Sequence, residues 1–317
     1  MRPPIVLAVD GSDKDERAFA VAAAFAELGD AAIRVVRVFE TPIETLPSQA
    51  SELAASAARA DVVRNVRQVA ERMAATLHRE VTWDVIDGLS AAATLLDDLE
   101  SHDTSLVVMA TRAASAVGRA IQGSVADRLV RESPSPVVLV PPGAGYLGGK
   151  RVTLRRVLVP LDGSLAPLRV IPTLLALSRA EALELVLLQA VRPERVGGYL
   201  MPPGTPTTAR DVEEDGEWTH VGAAVAEQRL AAIAERVRAH GAQAEVRVIE
   251  SADVGGEIVA AIRNELVEFI AMSTRGAGGL RRLVLGSVAE EVVRHSEVPV
   301  LLVTARSGPA VPSLLEI

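Results

Sequence analysis

A chain of 317 residues that is 49% hydrophobic but only 3% aromatic must build its interior from Val, Leu, Ile and Ala, a composition suited to parallel strands covered on both faces by helices. Its net charge of -8 argues against general binding to a nucleic-acid backbone, which needs a positive field, although a local basic spot can still hold one anion. The absence of cysteine excludes disulfides, thiol nucleophiles and cysteine-based zinc sites, and the five histidines are scattered without ligand spacing.

The chain opens with MRPPIVLAVDGS, whose apolar run is short and stops at Asp10, so it reads as neither signal peptide nor membrane anchor. No apolar run approaches the roughly 20 residues of a spanning helix, and a soluble, cytoplasmic protein with no membrane partner is expected. IVLAV is the first strand, followed by DERAFAVAAAFAEL, whose apolar residues lie three and four apart as in a helix. Strand IRVVRVF, the long helical run SELAASAARADVVRNVRQVAERMAATL, strand VTWDVI, helix SAAATLLDDLES, strand SLVVMA and a last strand PVVLV complete one unit. A Gly-rich stretch, Pro141 to Arg156, then joins it to VLVPL, ELVLLQAV, AEVRVIE, VEFIAMS and PVLLV, with helices around 168–179, 221–240 and 256–265. Five strands alternating with helices predict a parallel sheet with right-handed connections in each unit.

The two units are copies. IVLAVDGS at Ile5 matches VLVPLDGS at Val157, VIDG at Val85 matches VIES at Val248, and VVMATRA at Val107 matches IAMSTRG at Ile270. GSVADRLVRESPSPVVLV at Gly123 matches GSVAEEVVRHSEVPVLLV at Gly286. The spacing between copies grows from 152 residues at Asp10 and Asp162 to 163 at Val85 and Val248, which assigns an insertion to the Gly/Pro-rich stretch RVGGYLMPPGTPTTARDVEEDGEW, read as a loop with an acidic end at Asp211 to Trp218.

In sheets of this kind ligands bind beyond the carboxyl ends of the strands, where strand order reverses. Asp162 follows the first strand of its copy, Ser273 to Gly276 follow the fourth, and Gly286-Ser287 open the last helix. Ser287 is the expected N-cap, with Glu290 completing a capping box. Helix N-termini suit phosphate, glycines let backbone N–H groups face an anion, and Arg275, Arg281 and Arg282 offer charge. Each residue also has a plainer reading. Gly-Ser before a helix is a common cap, Asp before Gly-Ser is a common turn residue, and the arginines suit a solvated surface. Met109 and Met272 suit the core, and Trp83 and Trp218 read as packing residues.

On these motifs both halves resemble universal stress protein domains, and the whole resembles a tandem member of that family. The nucleotide-binding branch carries Gly-x2-Gly-x9-Gly-[Ser/Thr] at this place. The second copy reads Ser273-Thr274-Arg275-Gly276, nine residues from Ala277 to Leu285, then Gly286-Ser287, departing only at the first glycine. The first copy reads Ala110-Thr111-Arg112-Ala113, nine residues, then Gly123-Ser124, with alanine at both early glycines. The resemblance implies two tandem Rossmann-like domains of the adenine nucleotide alpha-hydrolase type, at residues 1–142 and 156–307, with a linker at 143–155 and a tail at 308–317. It implies ATP, with or without Mg2+, mainly in the second half, at Pro160, Asp162, Ala190, Met272, Ser273, Gly276, Gly286, Ser287 and Val288. The corresponding weaker site is Asp10, Val38, Ala110, Ala113, Gly123 and Ser124. Asp10 and Asp162 would contact the nucleoside, and Val38 and Ala190 would pack on adenine.

No catalytic set emerges: no Lys follows a phosphate loop, and no Gly-x-Ser-x-Gly elbow occurs. The resemblance implies an ATP-binding stress-response regulator, at most a slow ATPase, whose bound state alters recognition of a protein partner. The alternatives are a non-nucleotide module working through dimerisation, or a hydrolase of the related type. The last strands PVVLV and PVLLV have a free edge in this topology, and the resemblance implies that they pair the two halves about a pseudo-twofold axis, with whole chains able to associate further as a homodimer. Gly276→Val should weaken ATP binding in calorimetry while the fold survives, and glycine restored at Ala110 and Ala113 should strengthen binding by the first half. Unchanged affinity in either experiment counts against the assigned loop.

Overall fold

In a computed structural model, the described residues are 2–41, 49–111, 123–144, 152–178, 183–191, 210–274, 285–304 and 306–307, with backbone alone for 49–50 and 210–221. The first half runs β1 (Ile5–Ala8), α1 (Asp15–Gly29), β2 (Ile33–Glu40), α2 (Gln49–Leu77), β3 (Val81–Gly88), α3 (Ala91–Ser101), β4 (Leu106–Ala110), α4 (Ser124–Glu132) and β5 (Val137–Val140). The second runs β6 (Arg156–Pro160), a 3-10 turn (Ala166–Arg169) leading into α5 (Val170–Leu177), β7 (Glu184–Val191), α6 (Arg210–Ala239), β8 (Gln243–Glu250), α7 (Val254–Asn264), β9 (Phe269–Ser273), α8 (Ser287–His295) and β10 (Val300–Val303).

The ten strands form one sheet in the order β3-β2-β1-β4-β5-β10-β9-β6-β7-β8. Central strands such as VVLV and VLLV are buried along their whole length, because helices cover both faces. One face carries α1, α2, α5 and α6 on a core that includes Phe25, Val66, Leu174 and Leu230; the other carries α3, α4, α7 and α8 on Leu95, Leu129, Ile262 and Val292. Strand pairs are parallel within each half and antiparallel only where β5 meets β10.

The register at that meeting is self-complementary. Leu301 faces Val138, Val300 faces Leu139 and Leu302 faces Val137. Val138 and Leu301 occupy equivalent places in the two copies, so the pseudo-twofold axis passes between them, and the other two pairs are images of each other. The halves thus pair as the sequence leads one to expect. Thr304 Oγ1 donates to Ser133 O at 3.1 Å, and Arg306 Nη1 donates to Glu132 O at 3.0 Å across the same boundary. Phe25 of α1 meets Phe269 of β9 edge to face, with centroids 5.4 Å apart.

Four sequence expectations are corrected. The backbone at 210–218 is helical, so the acidic stretch from Asp211 to Trp218 begins α6 rather than ending a loop. The run of Asp and Glu hid the helix, because it carries no apolar residues spaced three and four apart. Ser287 is the first residue of α8, not its cap: Gly286 holds that place without a side-chain cap bond, and Glu290 N donates to Gly286 O at 2.8 Å. The capping box is therefore absent at this helix. Trp83 sits on the outer strand β3 and is 39% exposed rather than packed, because β3 has only one neighbouring strand. In the second half the first helix begins as a 3-10 turn at Ala166 rather than at Leu168. Among the described residues no helix is long and apolar enough to cross a membrane.

Phe269→Ala should lower stability by about 3–5 kcal/mol through the cavity it leaves, because Phe269 is fully buried and its ring ties the two halves together. Urea unfolding of the full chain measures this.

Candidate functional site

In the first half the sheet order reverses between β1 and β4: the chain leaves β1 for β2 on one side, and β3 returns to β4 on the other. A cleft of about 540 Å3 opens at the carboxyl ends there, lined by Asp10, Val38, Met109, Ala110, Gly123 and Ser124 among others. Five of these are residues that the sequence singles out for ligand binding, and Met109, 9% exposed, forms part of the buried floor. Ala113 lies outside the described residues.

The turn after β1 is built by local hydrogen bonds. Asp10 Oδ1 accepts from Ser12 N at 2.9 Å, an Asx-type turn, and Asp10 Oδ2 meets Lys14 Nζ at 2.9 Å. Gly11 takes φ 81°, a region that favours glycine. Behind it Asp15, in the first turn of α1, accepts from Gly11 N at 2.7 Å and from Asp10 N at 3.3 Å. Burial pushes the Asp15 carboxyl up, against those two backbone donors, which pull it down. Burial acts in the same upward sense on Asp10, but the hydrogen bonds from Ser12 and Lys14 outweigh it and hold the Asp10 carboxyl below its usual range. The sequence reading missed Asp15; its only signal was an acid in the first helical turn, a common place for one.

At the far side of the cleft, Gly123 precedes α4 with φ 143°, and a β-carbon there would meet nothing within 4 Å. Thr111, buried at the end of β4, bonds to Val140 O through its N–H at 2.9 Å, and its carbonyl accepts from the Arg17 guanidinium of α1.

The second half assembles the corresponding parts. Pro160 ends β6, and Asp162 Oδ1 accepts from Ser164 N at 2.9 Å and Ser164 Oγ at 2.7 Å, around Gly163 at φ 83°. Ala190, near the end of β7, faces Ile249 of β8. Met272 and Ser273 end β9, and Gly286, Ser287 and Val288 open α8. Gly286 N donates to Thr274 O at 3.2 Å, fastening the base of the loop between them, where the first half uses the Arg17 guanidinium on the equivalent carbonyl. A β-carbon on Gly286 would approach nothing closer than Thr274 O at 3.9 Å. Gly276, Arg275, Arg281 and Arg282 lie outside the described residues.

Comparison with known proteins agrees with this double construction. The family model described as the universal stress protein family matches twice, at residues 1–141 and 153–304. A universal stress protein of Thermus aquaticus is 37% identical over 138 residues, 43% of this chain and 96% of that protein. A universal stress protein of Mycolicibacterium smegmatis is 27% identical over 95% of this chain and 97% of its own. Among solved structures, a universal stress protein from Archaeoglobus fulgidus shares the fold with TM-score 0.64 at 20% identity, covering 94% of this chain and 97% of its own.

The two neighbouring carboxyls should separate in a carbon-13 titration, Asp10 below the ordinary aspartate range and Asp15 above it. The linkage signs are opposite. Asp10, depressed in the fold, contributes stability that is present above its unfolded pKa and is lost as pH falls through the folded value. Asp15, raised in the fold, opposes folding above its folded value, and that cost disappears as pH falls below its unfolded value. Wild type should therefore gain stability relative to Asp15→Asn on acidification from neutrality; a pH-independent difference would contradict the assignment.

Proposed function

The chain belongs to the universal stress protein family, and we propose that it is an ATP-binding regulator with its nucleotide mainly in the second domain, residues 156–307, and a weaker site in the first, residues 1–142. One observation supports this reading above the others. In each half an acidic turn, the end of the second strand and a helix headed by Gly-Ser converge where the strand order reverses. That convergence offers a carboxylate for hydroxyl or amino groups, a flat apolar step for a base, and first-turn amides for phosphate.

The glycines fit such a ligand. Gly123 and Gly286 leave open space where a β-carbon would project, so a phosphate can approach the backbone. Mg2+ would travel on the triphosphate, held chiefly by phosphate oxygens. Ser273 to Gly276 match the family motif more closely than Ala110 to Ala113, which favours the second half for the polyphosphate. The first-half cleft of about 540 Å3 is nonetheless spacious enough for a nucleoside, so what would weaken the first site is how it holds phosphate rather than the want of a pocket. Among the described residues neither mouth pairs a nucleophile with a base, which favours a protein that acts by binding, with hydrolysis slow at most. Occupancy would alter the surface presented to a protein partner, and whole chains would pair into a homodimer.

Calorimetry of the full chain with ATP, together with extraction of bound nucleotide, tests this. Asp162→Ala should weaken binding by about tenfold or more, the value of a charged hydrogen bond, and Asp10→Ala by much less. A protein that purifies empty and takes up no ATP would overturn the reading and leave a paired interaction scaffold.

A further inference from the structure

In both halves a guanidinium lies against the glycine of the Asp-Gly-Ser turn, but it is supplied from opposite places. In the first half it belongs to Arg37 on β2. A β-carbon built on Gly11 would fall 2.2 Å from Arg37 Nη1, and the same nitrogen donates to Asn65 Oδ1 of α2 at 3.4 Å. In the second half it belongs to Arg229 on α6. A β-carbon built on Gly163 would fall 2.5 Å from Arg229 Nη2. Arg229 Nη1 donates to Gly163 O at 3.1 Å, and Nη2 donates to Gln189 Oε1 of β7.

The four positions are equivalent in pairs. Arg37 sits opposite Val85 in the sheet and Gln189 opposite Val248, and those two valines correspond in the duplicated sequence. On the helices, Asn65 precedes the buried set Val66, Val69, Ala70 and Met73, while Arg229 precedes Leu230, Ile233, Ala234 and Val237 with the same spacing. Cation and amide have therefore exchanged carriers, strand for helix, while the guanidinium has stayed at the turn. A change at one position alone would set two guanidiniums against each other or leave two amides with no cation, so the pair is coupled.

We propose that Arg229 and Arg37 are positioning residues that clamp the β1–α1 and β6–α5 turns, and through them the carboxylates of Asp162 and Asp10. The forked guanidinium, steadied by an amide on the facing element, closes against the turn in the space that the glycine, favoured there by its positive φ, leaves free of a side chain. The clamp matters more in the second half. There the counterparts of Lys14, which donates to Asp10, and Asp15, which accepts from Gly11 N, are Ala166 and Pro167, whose side chains can neither donate to the turn nor accept from it. The clamp stands on geometry alone; its consequence for ligand affinity rests on the nucleotide reading above.

The experiment uses the full chain, first without added nucleotide. Arg229→Asn should speed amide exchange at Gly163 and Ser164 by about fivefold, the equivalent of one hydrogen bond, and lower the thermal midpoint by about 1–2 °C. Gln189→Arg combined with Arg229→Asn recreates the first-half arrangement and should return both readouts close to wild type. Arg229→Lys keeps the charge without the fork and should loosen the turn without any new contact. Arg37→Gln should disturb its own turn less, because Asp15 still ties it. ATP affinity should follow the same order, falling in Arg229→Asn and recovering in the double variant. A double variant no closer to wild type than Arg229→Asn, a turn unmoved by Arg229→Lys, or ATP affinity unchanged in Arg229→Asn would overturn the proposal. Exchange rescued by the double variant in a protein that takes up no ATP supports the clamp and removes the nucleotide reading instead.

Discussion

Three residue pairs between β5 and β10 hold the architecture together. They join two buried, all-aliphatic strands in antiparallel register, and every other pairing in the ten-stranded sheet is parallel. A strand buried on both faces but bare along one edge would be a ready template for another chain, since its backbone donors and acceptors need partners. Placing the two copies in one chain satisfies that edge internally. The flanking contacts, Thr304 to Ser133 and the Phe25–Phe269 ring pair, add specificity to a junction whose strand pairing alone is only aliphatic.

That junction leaves the two mouths free to diverge. Both keep an aspartate turn, a glycine in a left-handed conformation and a Gly-Ser pair before a helix. They differ in what fastens the parts. The first turn is tied by Asp15 and Lys14, the second by Arg229; the carbonyl after the fourth strand is met by Arg17 in one half and by Gly286 N in the other. The frame is thus preserved by different bonds, as expected when geometry, rather than any one side chain, is what the site needs.

Much of this was legible in the sequence. The strands were plain because runs such as VVLV and IRVVRVF are β-branched and aliphatic, bounded by turn residues. The duplication followed from four matched blocks in one order, and Asp10, Val38, Ala110, Gly123 and Ser124 do meet around one cleft. What escaped did so for separate physical reasons. The start of α6 was hidden because its first turns carry Asp, Glu and Gly rather than a repeating apolar stripe. The expected cap at Ser287 failed by a single residue, the scale on which helix ends are set by local dihedrals. The Arg37/Asn65 and Gln189/Arg229 exchange joins residues 28 and 40 positions apart, and no local pattern marks it. Trp83 was read as a packing residue, yet it stands half-exposed on an outermost strand that has only one neighbouring strand.

The antiparallel junction also fixes a direction. Within each half the strands point their carboxyl ends the same way, and across β5 and β10 that sense is reversed. The carboxyl ends of the two sets of strands consequently face opposite rims of the slab. A macromolecule gripping one rim leaves the other uncovered, so each half of the single polypeptide is approached from its own side.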